Sequence, residues 1–98
     1  MSTNSTYIVS YDITSNKLRR KIEKTLKNYG IRLQYSVFIC RSKPNMMDKL
    51  VAEIDDLLRQ MEKLKSPGDS IAVIGALDEN NVEFLLGNAC IFDDFMIL

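Results

Sequence analysis

The sequence predicts one α+β domain of the ferredoxin-like, split-βαβ plan, with an additional strand toward the C-terminal end. Three observations carry that expectation. Short runs rich in β-branched and aromatic residues alternate with two amphipathic helical segments in the order β-α-β-(β)-α-β-β, which places two helices on one face of an antiparallel sheet. The chain's 98 residues suffice for a single modest core and leave no room for a second domain. Its 46% hydrophobic and 27% charged composition, free of repeats and low-complexity tracts, is that of an ordinary folded protein.

Residues 6–13 (TYIVSYDI) alternate at period two. Ile8, Ser10 and Asp12 fall on one face, with Tyr7, Val9, Tyr11 and Ile13 on the other. Thr14, Ser15 and Asn16 offer N-caps for a helix in which Leu18, Ile22, Leu26 and Tyr29 recur at helical spacing until Gly30. Arg20, Lys24 and Lys27 then lie on its wet side. Residues 32–41 (RLQYSVFICR) read as one strand or as two joined by a bend, and periodicity alone does not choose. Pro44 suits the first turn of a second helix, with Met47, Leu50, Val51, Ile54, Leu57, Leu58, Met61 and Leu64 along one face and 66–69 (SPGD) as its stop. Residues 70–77 (SIAVIGAL) read as a buried strand, 78–81 as a turn, 82–86 as a short helical or extended piece, and 89–98 as a final strand. The apolar Ile91, Phe92, Phe95, Met96, Ile97 and Leu98 need a sheet edge to pair with, in their own chain or in another protomer.

Several functional classes are excluded at once. With no histidine there is no Ser-His-Asp or Cys-His apparatus, and no GxxxxGK[ST] or GxGxxG loop is present. The two cysteines, Cys40 and Cys90, sit inside apolar runs and read as small buried hydrophobes rather than zinc ligands or a disulfide. The first residues lack a signal-peptide pattern and no apolar run is long enough to span a bilayer, so the expected location is cytoplasmic, with no membrane partner.

Net charge is zero, yet it divides sharply along the chain. Residues 1–43 hold nine cations against two anions, a net of +7, and residues 44–98 carry the compensating −7. Such an asymmetry points to an anionic partner such as nucleic acid for the first half. Arg19, Arg20, Lys24 and Lys27 are the candidate phosphate contacts, and a solvated helix face is their bland alternative. Tyr35 and Phe38 read as core rather than stacking platforms. Asp12 is the candidate for chemistry. It stands at a strand end before a helix bearing Arg19, Arg20 and Lys21, where one carboxylate completed by substrate phosphate and water suits magnesium. A cap on the turn into that helix is the alternative. A two-fold axis would bring a second Asp12 from a partner chain, which would make dimerisation part of the chemistry.

The strings 7–13 (YIVSYDI), 18–22 (LRRKI), 26–30 (LKNYG) and above all 33–38 (LQYSVF) resemble the small CRISPR-associated adaptation proteins, the Cas-two family of endoribonucleases. The likeness is close over the first 40 residues and one of layout from the second helix to Leu77. It implies a ferredoxin-like homodimer, with residues 78–98 as an extension whose strand packs on the partner protomer. It also implies a magnesium-dependent nuclease, with manganese as a substitute, acting on RNA or double-stranded DNA. The implied partner is the CRISPR integrase subunit during spacer acquisition. Residue by residue, Asp12 matches the metal-binding catalytic acid and Tyr11 its neighbour. Arg19 and Lys21 match the basic positions opening the first helix, although Lys21 stands where some members have arginine. Arg32 and Phe38 match positions lining the second-strand region, among the nucleic-acid contacts.

Three readings therefore stand. The first is a magnesium-dependent phosphodiesterase built on paired Asp12 carboxylates, and the second a non-catalytic double-stranded DNA-binding scaffold bridging integrase dimers. The third, independent of the resemblance, is a small-ligand regulatory domain of the same shape.

Overall fold

The computed structural model describes residues 4–77. The expected turn at 78–81, the piece at 82–86, the strand at 89–98 and Cys90 all lie outside them. Within them the element order is β1 (Ser5–Asp12), α1 (Asn16–Leu26), β2 (Ile31–Gln34), β3 (Val37–Ser42), α2 (Pro44–Gln60), a 3-10 turn at Glu62–Leu64, and β4 (Ser70–Leu77). The four strands form one antiparallel sheet in the order β2-β3-β1-β4. This is the ferredoxin-like arrangement the segment order predicts.

The period-two reading of β1 holds. Val9 and Tyr11 are buried in the core with Leu18, Ile22 and Leu26 of α1 and Met47, Leu50 and Ile54 of α2, while Asp12 is exposed. Each large apolar side chain so buried contributes roughly 1.5–3 kcal/mol. Ser15 caps α1, its Oγ accepting from the Leu18 amide at 3.2 Å. The Asp69 carboxylate accepts from the backbone amides of Thr14 at 3.0 Å and Ser66 at 2.9 Å, tying the β1–α1 loop to the α2–β4 loop. These amides hold its carboxyl below the usual aspartate range.

Two expectations change, and one open alternative is decided. First, α1 ends at Leu26 rather than running to Tyr29. Gly30 must come so close to β3 that a Cβ there would lie 2.1 Å from the Ile39 carbonyl oxygen, and the chain leaves the helix to reach that position. Second, residues 32–41 form two strands. Tyr35 and Ser36 make the turn, with Ser36 at a φ of 65°, and the β2–β3 register shifts between Arg32 and Gln34. Third, residues 70–77 are not a buried strand. β4 ends the described sheet with only β1 beside it, so Val73 and Ile74 remain 43% and 48% exposed, and Val51 of α2 is exposed as well. Cys40 is a free, fully buried thiol whose pKa burial pushes up to about 11, as a small core hydrophobe requires. No helix among the described residues is long and apolar enough to cross a membrane.

Candidate nucleic-acid interface

The end of the sheet where β1 stops gathers most of the residues singled out from sequence, and it divides them between two sides. On the helix side, Tyr11 points into the core and its hydroxyl donates to Glu23 Oε2 of α1 at 2.7 Å. Burial raises the phenol pKa first, and the hydrogen bond and negative charge of Glu23 raise it further, so the hydroxyl stays protonated and remains a donor. The other oxygen, Oε1, faces Arg32 Nη2 at 3.2 Å, while Arg19 Nε approaches Oε2 at 4.0 Å. The Arg32 guanidinium also lies 5.4 Å above the centre of the Phe38 ring, and that ring is tilted against Tyr11 at 6.3 Å. One carboxylate from α1 therefore joins β1, β2 and the helix itself.

Arg19 does more local work. Its guanidinium donates to the Ile13 carbonyl at 3.4 Å and to Asn16 Oδ1 at 2.6 Å, bracing the loop between β1 and α1. Tyr11 is 3% and Phe38 0% exposed. Neither offers a surface to a base or a phosphate, so the expectation that they contact nucleic acid directly gives way to a supporting role beneath Arg32. Phe38 is buried because its position in β3 faces the helices, where Leu18, Ile22 and Leu50 complete the packing. Glu23 is the residue that sequence reasoning missed. Its signal was available: it is the only acid in α1 and lies four residues beyond Arg19.

Asp12 lies on the opposite side. Alternation along β1 turns it away from Glu23, Arg19 and Arg32, and its carboxylate is exposed with no hydrogen bond or ion pair among the described residues. The cations that sequence spacing set around Asp12 share its end of the sheet without touching it. No group of three or more metal-ligating side chains occurs among the described residues. A single exposed carboxylate nevertheless fits magnesium, which retains several waters and takes one or two protein carboxylates together with substrate phosphate.

The third part of the site is the outer face of α1. Arg20, Lys21, Lys24 and Lys27 are exposed and form no ion pair among the described residues. By contrast Arg59 pairs with Asp55 at 2.6 Å and Lys65 with Glu62 at 2.7 Å. Arg20, Lys24 and Lys27 follow one another at helical spacing, a stripe about 10 Å long at 1.5 Å per residue. Free cations in a line are suited to consecutive phosphates.

The sequence model of the family described as CRISPR associated protein Cas2 matches residues 5–82. The chain is 42% identical over 65 residues to the protein named CRISPR-associated endoribonuclease Cas2 3 of Chloroflexus aurantiacus, covering 65% of this chain and 62% of that one. It is 39% identical over 56 residues to the CRISPR-associated endoribonuclease Cas2 of Geobacter sulfurreducens, covering 57% and 59%. The chain thus spans less than two-thirds of the length of each of these relatives. Among solved structures it is similar to Streptococcus pyogenes Cas2, with a TM-score of 0.61 and 28% identity over 82% of this chain and 98% of that one. It is also similar to a hypothetical protein from Thermus thermophilus, with a TM-score of 0.60 and 30% identity over 86% and 93%.

Proposed function

Because this chain belongs to the CRISPR-associated Cas2 family, we propose that it is a magnesium-dependent endonuclease, acting on RNA or double-stranded DNA as a homodimer in spacer acquisition. The observation that carries the reading is Asp12, an exposed carboxylate at the end of β1 with no partner among the described residues. The endoribonuclease names of its relatives support the same chemistry. Asp12 would hold magnesium, or manganese in its place, and the bound ion supplies Lewis-acid polarisation of a phosphate and a water of lowered pKa.

The rest is the work of the chain. Arg20, Lys21, Lys24 and Lys27 neutralise phosphates and hold the backbone in register, while Glu23 keeps Arg32 and Arg19 fixed at the sheet end. Magnesium takes one or two protein carboxylates, and a two-fold related copy would bring a second Asp12 beside the first. Free of counter-charge among the described residues, the α1 stripe also supports a further role as a duplex-binding scaffold beside the CRISPR integrase, which requires no cleavage. Replacing Asp12→Asn removes the charge and keeps the size. Cleavage of labelled RNA and of duplex DNA should require magnesium, cease in Asp12→Asn and cease with EDTA, while duplex binding survives. Cleavage by Asp12→Asn at the wild-type rate would leave only the binding role.

A further inference from the structure

Tyr35 is the most exposed large apolar side chain among the described residues, at 74%, and nothing in the fold calls for a phenol there. Turn positions favour Gly, Pro, Asn, Asp and Ser for reasons of backbone geometry, and tyrosine brings none of these. Its hydroxyl has no hydrogen-bond partner among the described residues, and its ring packs on no other aromatic. A single exposed apolar residue is by itself unremarkable. Its placement is not.

The β1–β3 register pairs Ser10 with Val37, and the Tyr11 amide extends the ladder by donating to the Ser36 carbonyl at 3.0 Å. One residue beyond that bond in each segment stand Asp12, the last residue of β1, and Tyr35, the first residue of the turn. The ring therefore sits at the end of the sheet where β1 stops, on a turn pinned to β1 by a backbone hydrogen bond and closed by Ser36 at positive φ. Arg32, three residues earlier on the same hairpin, is already fixed by Glu23 and Phe38 and keeps its side chain 38% exposed. An exposed aromatic face held on a short, two-torsion side chain is the arrangement on which an unpaired base stacks.

From this juxtaposition we infer that Tyr35 is a base-stacking contact for single-stranded nucleic acid, seating an unpaired nucleotide next to Asp12. The inference rests on the nucleic-acid reading above and adds its strand preference: an open base reaches the ring, whereas the stacked interior of a duplex does not. Stacking requires the ring and not its hydroxyl, and it involves no phosphate.

The test uses the full chain and fluorescence anisotropy with two labelled probes, a single-stranded oligoribonucleotide and a relaxed, covalently closed duplex DNA circle, which has neither ends nor unpaired loops. Tyr35→Ala should bind the single strand roughly 5- to 150-fold more weakly, with an unchanged dependence on salt, and should bind the closed duplex as the wild type does. Tyr35→Phe should restore single-strand affinity, and Tyr35→Leu should not. Equal single-strand binding by Tyr35→Ala and wild type overturns the inference while leaving the proposed function intact, and would turn Tyr35 toward a protein partner. An equal loss on both probes also overturns it, because the ring would then not be reading an open base. A wild-type chain that binds neither probe overturns the nucleic-acid reading and this inference together.

Discussion

Phe38 and Asp12 come from neighbouring strands, and their fates differ because a strand turns successive side chains to opposite faces. Phe38 faces α1 and α2 and is completely enclosed. Truncation to alanine should therefore cost about 3–5 kcal/mol of stability in a urea titration, through lost transfer energy and the cavity left behind. Phe38→Leu, closer in volume, should cost less than about 1.5 kcal/mol. If the ring acts only as a support for Arg32, folded Phe38→Leu should bind nucleic acid close to the wild-type level. A folded Phe38→Leu protein that no longer binds would assign the ring a contact its burial does not allow. Asp12 is the converse case. Its carboxylate faces away from the core and is free to act.

Among the elements, α1 separates its cations by what lies beside them. Arg19 is drawn to the Ile13 carbonyl, Asn16 and Glu23, whereas Arg20, Lys24 and Lys27 project along the outer face without a counter-charge among the described residues. Phosphate binding by that stripe is a counterion-release effect, and each phosphate contact on duplex DNA contributes about −0.9 to the slope of log affinity against log salt. The double variant Arg20→Ala, Lys24→Ala should weaken duplex binding and flatten the slope by about 0.9 for every contact removed. Arg19→Ala should act instead by loosening the β1–α1 loop, lowering stability more than it alters the slope. Binding by the double variant that retains the wild-type slope would remove the stripe from the interface. α2, whose ion pairs are internal, is acidic where α1 is basic, and the two helices present the charge division of the chain on one layer of the fold.

For the whole molecule, β4 leaves Val73 and Ile74 uncovered at the end of the described sheet. An edge of this kind favours pairing with another strand. The apolar residues Ile91, Phe92, Phe95, Met96, Ile97 and Leu98 offer such a strand by sequence. The proposed homodimer should scatter light with twice the 11.2 kDa mass of one chain. Deleting residues 91–98 should yield monomer or aggregate, and a truncated chain that remains a dimer would remove the tail from the interface. The second Asp12 of the proposed metal site depends on the same association.

By itself the sequence determined the fold class, the alternation along β1, an N-cap for α1 among Thr14, Ser15 and Asn16, and the wet stripe of α1. Each follows from local periodicity and side-chain chemistry, which act within a few residues. The tertiary structure alone decided where α1 stops, because only the approach of Gly30 to β3 makes the helix end at Leu26. It likewise resolved residues 31–42 into two strands, left β4 exposed, and separated Asp12 from Arg19 and Arg32. That last separation could not be read from spacing, because residues close in sequence can lie on opposite sides of one sheet, and Glu23 meets Arg32 only once the helix has docked on the strands. Tyr35 shows the same limit: its pattern resembled a core position until the turn placed it in solvent. Local chemistry chose the elements, and packing between elements distant in sequence chose which side chains meet.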